Sequence, residues 1–359
     1  MSHLNCFQEQ LKKKGFDAAI VSDKMNQRYL SGFDFDDGLV LVTCEDAYLL
    51  TDFRYAEAAE EKTTKEMKVL LPKEGHLVCI ASLLASHGCK SVCIEEMHLS
   101  YGEFQHYEKV LSDVVLSGGA SEILSDLRLH KDDEEIATVA RAQSITDAAF
   151  SHILNFIKPD MTEVEVALEL EYFMKRNGAE ALAFDTIAVS GANSSRPHGV
   201  PRHAKLEKGF LTMDFGARVD GYCSDMTRTV VLGRADEEMK RLYNTVLRAQ
   251  TAALEAACEG IGCKALDRVA RDIINGAGYE GCFGHSLGHG LGMLVHENPR
   301  VAPGAAEDSV LERGHIVSVE PGIYISGKYG CRIEDLICIR NDGSVYNFTN
   351  SPKELIELF

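Results

Sequence analysis

From residue 132 onward the chain passes twice through the same order of elements, two helices and then a set of strands. That repetition narrows the fold more than any other feature. Over 132–157 the apolar residues Ile136, Val139, Ala140, Ala142, Ile145, Ala149, Ile153 and Ile157 fall on one helical face. Pro159 ends that helix, Thr162 with Glu165 three residues on forms a capping box for the next, and Gly178 closes it. Strands are expected at 183–190, 209–216 and 222–232. The second passage predicts helices over 237–258 and 265–276, then strands at 283–288, 315–319 and 331–340. The implied architecture is α+β with a pseudo-twofold internal duplication, helices covering one face of a largely antiparallel sheet.

The first third of the chain reads differently. Short β-like runs at 16–22, 38–43, 47–51 and 90–94 alternate with helical spacing at 53–62 and 76–87, which points to an α/β layer. It offers no catalytic cluster. The segment LSGGASEIL at 116–124 is the most linker-like, so the boundary is expected between 117 and 132, with domains over 1–125 and 126–359. Two cores also suit a chain of 359 residues.

Composition removes several classes of function. With 37 basic against 55 acidic residues the formal charge is −18, which disfavours a nucleic-acid partner because such binding neutralises phosphates. No apolar run reaches the roughly 18 residues that span a bilayer. The N-terminal stretch MSHLNCFQEQLKKKG lacks a secretion signal's apolar core, so a cytoplasmic protein is expected. Eleven cysteines with no CxxC pair indicate neither a disulfide framework nor a zinc ribbon.

Four segments of the second domain set polar residues inside apolar strands. In LTMDFGARVDGYCSDMTRTVVLG, 211–233, alternation sends Met213 and Phe215 one way and Asp214 the other, while Asp225 shares a face with Cys223 and Thr227. Either acid alone reads most simply as a turn or edge residue in water. Two facing carboxylates repel, and a bridging cation relieves the cost. In FGHSLGHGLGMLVHENP, 283–299, His285, His289 and His296 stand among four glycines. A lone histidine there is ordinarily structural; three within twelve residues favour metal or substrate. In HIVSVEPGIYI and YGCRIEDLICI, Glu320 ends one apolar strand and Glu334 sits in another, with Arg332 expected on the face of Glu334. Asp335 is read as solvent-facing or structural, and Asp220 and Glu297 as turn and loop acids. An oxygen-rich set with one imidazole suits Mn²⁺, Co²⁺, Fe²⁺ or Zn²⁺, and four carboxylates balance two divalent ions.

The strings MDFG…YCSDMTRT, HSLGHGLG…VHENP, VEPGIY and RIED resemble the Xaa-Pro aminopeptidase and prolidase family, the pita-bread metallopeptidases. The likeness covers 132–353, and the first domain, TDFRY included, is similar to the family's creatinase-type N-terminal domain. The resemblance implies a binuclear site held by Asp214, Asp225, His289, Glu320 and Glu334, with Mn²⁺ in this branch, and hydrolysis of the bond before proline in peptide substrates. It also implies that His198 holds the substrate and stabilises the oxyanion and that His285 lines the substrate pocket. His296 is placed against the scissile carbonyl or leaving imide. Glu320 doubles as general base, and Tyr324 and Arg332 support the site. Arg300 reads either as the anchor for a dipeptide's C-terminal carboxylate or as a solvated loop arginine. A homodimer is expected. The competing readings are a metal-free creatinase-like hydrolase or peptide-binding module on the same fold, both marked by lost ligand positions, and methionine aminopeptidase, which seldom carries the extra domain.

Overall fold

The computed structural model describes residues 2–359. The chain divides into two compact units, 1–128 and 129–359.

The first unit is built on a six-stranded mixed sheet in the order 67–70, 47–51, 38–43, 18–21, 91–94, 115–117. Gly38–Thr43 runs antiparallel to both Ala18–Val21 and Ala47–Thr51, while Ser91–Ile94 and then Val115–Ser117 add in parallel beyond Ala18–Val21. The central strand AAIV is buried at every position because both faces of the sheet are covered, so it shows no polar alternation. Ile20, Leu41, Leu50, Ile80, Val92 and Ile94 make its core. The uncharged stretch 75–89 forms the helix His76–Ser86, buried only along the edge of Ile80 and Leu84. The segment 116–124 is no linker: it finishes the last strand and opens the helix Ala120–Leu129. Its glycines serve a tight strand-to-helix passage instead.

The second unit carries the duplication. The helices Asp133–Phe156 and Glu163–Arg176 are answered by Glu237–Ala256 and Cys263–Ile274. Acidic residues fill the first turn of each long helix, where the dipole favours them, and Asp132 and Asp236 cap the N-termini. Each helix pair packs on its own sheet. The first sheet runs 357–358, 226–232, 209–215, 187–190, and the second runs 297–301, 288–290, 316–319, 335–339, 345–347. Two separate apolar clusters result, one around Phe150, Leu170, Met213 and Phe215, the other around Leu242, Leu266, Val317 and Ile337.

Four expected strands differ: 183–190 is replaced by Ala181–Leu182 and Ile187–Ser190, and 222–232 splits into Tyr222–Cys223 and Met226–Leu232. Residues 283–288 do not form one; the strand is the short Gly288–Gly290, paired on one side to Glu297–Val301 and on the other to Ile316–Val319. The expected strand 331–340 is broken: Tyr329–Arg332 pairs with Gly322–Ile325 in a two-stranded ribbon, whereas Asp335–Ile339 joins the main sheet. Among the described residues no helix is long and apolar enough to cross a membrane.

Candidate metal centre

The site sits where strands end. Asp214 lies on Gly209–Phe215, and Asp225 directly precedes Met226–Leu232. His289 is the middle residue of Gly288–Gly290, and Glu320 directly follows Ile316–Val319. Glu334 occupies the break between Tyr329–Arg332 and Asp335–Ile339. In the first hairpin the register sets Asp214 opposite Thr227, so Asp225 stands beyond the paired residues rather than directly across. The two glycines flanking His289 are forced by packing. A Cβ on Gly288 meets the Ser318 carbonyl oxygen at 1.9 Å, and one on Gly290 meets that of Asn298 at 2.0 Å.

These five residues converge. Donor atoms of Asp225, His289 and Glu334 all lie within 4.8 Å of one another. His289 Nε2 is 3.7 Å from Asp225 Oδ2 and 3.3 Å from Glu320 Oε1. His289 Nδ1 is 3.1 Å from the Gly290 carbonyl, a contact that places its proton on Nδ1 and turns Nε2 toward the acids. Ser318 Oγ accepts from the His289 backbone N–H at 3.1 Å and donates to Glu320 Oε1 at 3.1 Å.

Whether the residues fit a cation can be read from two orphaned oxygens. Thr227 donates to Glu334 Oε2 at 2.7 Å, and Arg332 donates to Asp214 Oδ2. The other oxygens, Glu334 Oε1 and Asp214 Oδ1, are buried without a hydrogen-bond partner. An unpartnered buried carboxylate oxygen is expensive, and a divalent ion is the group that relieves it. Four acids face one arginine. The electrostatics agree: burial first, then the charges of the neighbouring acids, push Asp225 and Glu334 well above the usual carboxylate range. Burial also raises Asp214 despite Arg332. Glu320 goes the other way. Burial opposes ionisation, yet the hydrogen bond and charge of His289 hold Glu320 at about 2. The donor set of carboxylates with one imidazole fits hard or borderline divalent ions.

Around this centre runs a hydrogen-bonded arc. Arg332 donates to Thr227 Oγ1 at 2.9 Å, to Tyr324 Oη at 2.7 Å and to the Pro197 carbonyl at 3.3 Å. Tyr324 Oη is 3.0 Å from His285 Nε2. Arg332 therefore orients the Asp214 carboxylate and Tyr324, and it meets Glu334 through Thr227, whose hydroxyl bonds both. His296 is exposed, with its ring 4.4 Å from that of His289. Burial lowers the pKa of His285, and burial with the charge of His289 lowers that of His296. His198 lies exposed on the 190–202 segment, close enough for its charge to act on both. Arg300 is exposed and pairs with His289 across adjacent strands.

Three acids depart from expectation or refine it. Asp335 is fully buried and structural: Arg228 donates to its Oδ1 at 2.8 Å, and Lys353 and Asn347 to its Oδ2 at 2.7 Å each. Glu297 opens a strand, and its carboxylate accepts from buried Lys131 at 2.9 Å. Asp220 is a turn residue, at φ 48°. Sequence reasoning missed Thr227 and Ser318, whose only signal is a hydroxyl placed two residues from an acid within an apolar run. A second trio, His130, Glu312 and His315, brings its donor atoms within the same 4.8 Å. There the Glu312 N–H donates to His315 Nδ1 at 3.1 Å, leaving the ring proton on Nε2 and no lone pair for a cation.

Comparison with known proteins supports this picture. Residues 137–341 match the model of metallopeptidase family M24, and residues 4–130 that of the creatinase/prolidase N-terminal domain. An Xaa-Pro dipeptidase of Pyrococcus horikoshii is 38% identical over 97% of both chains. Among solved structures, an Xaa-Pro dipeptidase from Bacillus anthracis superposes with a TM-score of 0.94 at 38% identity, covering 99% of each chain. An X-Pro aminopeptidase from Thermotoga maritima gives 0.91 at 34% identity, covering 97% of this chain and 100% of its own.

Proposed function

The chain belongs to metallopeptidase family M24, with a creatinase/prolidase N-terminal domain on a pita-bread catalytic unit, and from that premise we propose that it hydrolyses the Xaa-Pro bond, at the N-terminus of peptides or in Xaa-Pro dipeptides. The observation that carries the reading is the cluster of Asp214, Asp225, His289, Glu320 and Glu334 with its two orphaned carboxylate oxygens. Those residues would hold two divalent ions, Mn²⁺ foremost, which polarise the scissile carbonyl and acidify the attacking water.

The protein's own groups do the rest. Glu320 would act as general base, its carboxylate taking a proton from water and returning it to the departing proline nitrogen. His296 would present a ring nitrogen to the scissile carbonyl or leaving imide, and His285, held by Tyr324, would line the substrate pocket. His198, exposed on the 190–202 segment, would hold the substrate and stabilise the oxyanion. Arg332 holds Asp214 and Tyr324 in place, so that the ligand carboxylate keeps one orientation. An Xaa-Pro imide has no N–H, and none of these contacts asks for one. Arg300, exposed on the strand paired with His289, would bind the C-terminal carboxylate of a dipeptide substrate, and otherwise is a solvated loop arginine. All eleven cysteines are free, in keeping with a reducing cytosol, and the enzyme is taken to act as a homodimer.

The test is a panel of Xaa-Pro dipeptides, longer Xaa-Pro peptides and Met-Ala peptides offered to the Mn²⁺-supplemented protein. Cleavage confined to Xaa-Pro bonds is expected. Cleavage of Met-Ala alone, or of nothing, overturns the assignment.

A further inference from the structure

Two buried carboxylates outside the metal cluster have the same relation to two loops. Glu163, fully buried in the first turn of the helix Glu163–Arg176, accepts from the Ser190 N–H at 2.7 Å and from Asn193 Nδ2 at 3.0 Å. It also accepts from the Arg202 backbone N–H at 2.9 Å and from that arginine's Nε and NH2 at 2.9 and 2.8 Å. One side chain thus ties together both ends of the 190–202 segment, which carries His198. In the other half Asp267, 1% exposed on Cys263–Ile274, accepts from the Leu287 N–H at 3.0 Å and from Arg271 Nε and NH2 at 2.7 and 2.8 Å. Arg271 in turn donates to the carbonyls of Phe283 and His285 at 2.7 and 2.8 Å and stacks over the Phe283 ring at 4.2 Å. That pair grips the segment carrying His285 from both sides. The two acids do not occupy equivalent helix positions: Thr162 and Gly262 make the matching bridges, which aligns Glu163 with Cys263 and Asp267 with Ala167. The same device has been placed independently in each half.

We propose that Glu163 with Arg202, and Asp267 with Arg271, are positioning residues, one pair for each half, that fix the approach of His198 and His285 to the substrate. The metal cluster itself hangs on strands; these two histidines hang on irregular backbone, which has no sheet to hold it. A bidentate arginine–carboxylate pair that also takes main-chain bonds supplies the missing rigidity. The proposal rests on the peptidase reading for its kinetic consequence, though not for its structural one.

Crossed double-mutant cycles test it on the full-length, Mn²⁺-loaded protein. Asp267→Asn lowers kcat for an Xaa-Pro dipeptide ten- to a hundredfold in an otherwise unchanged enzyme. It costs less than about twofold where His285 is already Ala, yet keeps its full effect in His198→Ala. Glu163→Gln gives the mirror pattern. Equal losses in both backgrounds overturn the proposal, since a general loss of structure is blind to which histidine remains. Imidazole ¹⁵N spectra of the substrate-free protein supply a second readout. Asp267→Asn shifts the His285 resonances and leaves those of His198, and Glu163→Gln does the reverse; both rings moving together, or neither, refutes the assignment. If no Xaa-Pro substrate is cleaved while the spectra keep this selectivity, the peptidase reading falls and the positioning stands. Should either acid variant fail to fold, Arg271→Gln or Arg202→Gln releases the same loop and takes its place.

Discussion

Glu334 and Asp335 are neighbours in sequence and both wholly buried, yet they belong to opposite kinds of region. Asp335 sits among the protein's own cations, Arg228 and Lys353, with Asn347 completing its shell. Burial alone would raise it, but those charges hold it below the usual carboxylate range. Glu334 has one hydroxyl partner and one oxygen with none, and burial together with Glu320 and Asp214 pushes it well up. A buried acid that the chain neutralises itself is architecture. A buried acid left to its own kind marks where a cation from solution belongs.

The sharpest way to break that contrast is to remove one charge from each region in the metal-stripped protein. Asp335→Asn strands the buried Arg228 guanidinium and is expected to cost about 3–5 kcal/mol in urea unfolding. Glu334→Gln mimics the protonated acid that burial favours there and should leave stability unchanged or raised. Equal destabilisation by the two would erase the distinction. On activity the order reverses. Chelation, or Asp225→Asn, should lower Xaa-Pro turnover by roughly a thousandfold or more, with Mn²⁺ restoring only the chelated wild type. His296→Ala should retain its metal and lose about 10²–10⁴ in kcat. Metal loss in that variant instead would mean that the histidine roles are exchanged.

The smallest effect is in pH. Asp225 and Glu334 have folded pKa values raised above their unfolded ones, so their protonated forms stabilise the metal-free fold, and that stability is lost as pH rises through the raised values. Cations compete with those same protons, so the Tm gap between loaded and metal-free protein should narrow as pH falls from about 8 to about 5.5. Asp335, whose folded pKa is lowered, contributes at every pH above its unfolded value near 3.8 and should add nothing to that change. A gap that widens toward acid contradicts the account.

The sequence made the site more legible than its surroundings. Asp214, Asp225, Glu320 and Glu334 stand out because each lies in or beside an apolar strand, where an acid is conspicuous, and His289 because it is one of three histidines among glycines. Duplication shows because amphipathic helices keep their period over many residues. The strand expected over 331–340 was misread because alternation holds only while a strand continues, and a break of two residues at 333–334 sends the next strand to a different sheet. The structural half of the Asp335 reading holds, but the partners of Asp335 and Glu297 were illegible: Arg228, Lys353 and Lys131 come from distant parts of the chain, and no local pattern announces a long-range ion pair. Glu163 and Asp267 lie in ordinary helical sequence, where an inward acid looks like any surface one.

Titrating the chelator-stripped protein calorimetrically with Mn²⁺ tests the central claim most directly. The account predicts saturable uptake of two ions per chain, severely weakened in Asp225→Asn and intact in a folded Asp335→Asn. Absence of saturable binding in the wild type, or uptake indifferent to Asp225→Asn, would contradict it.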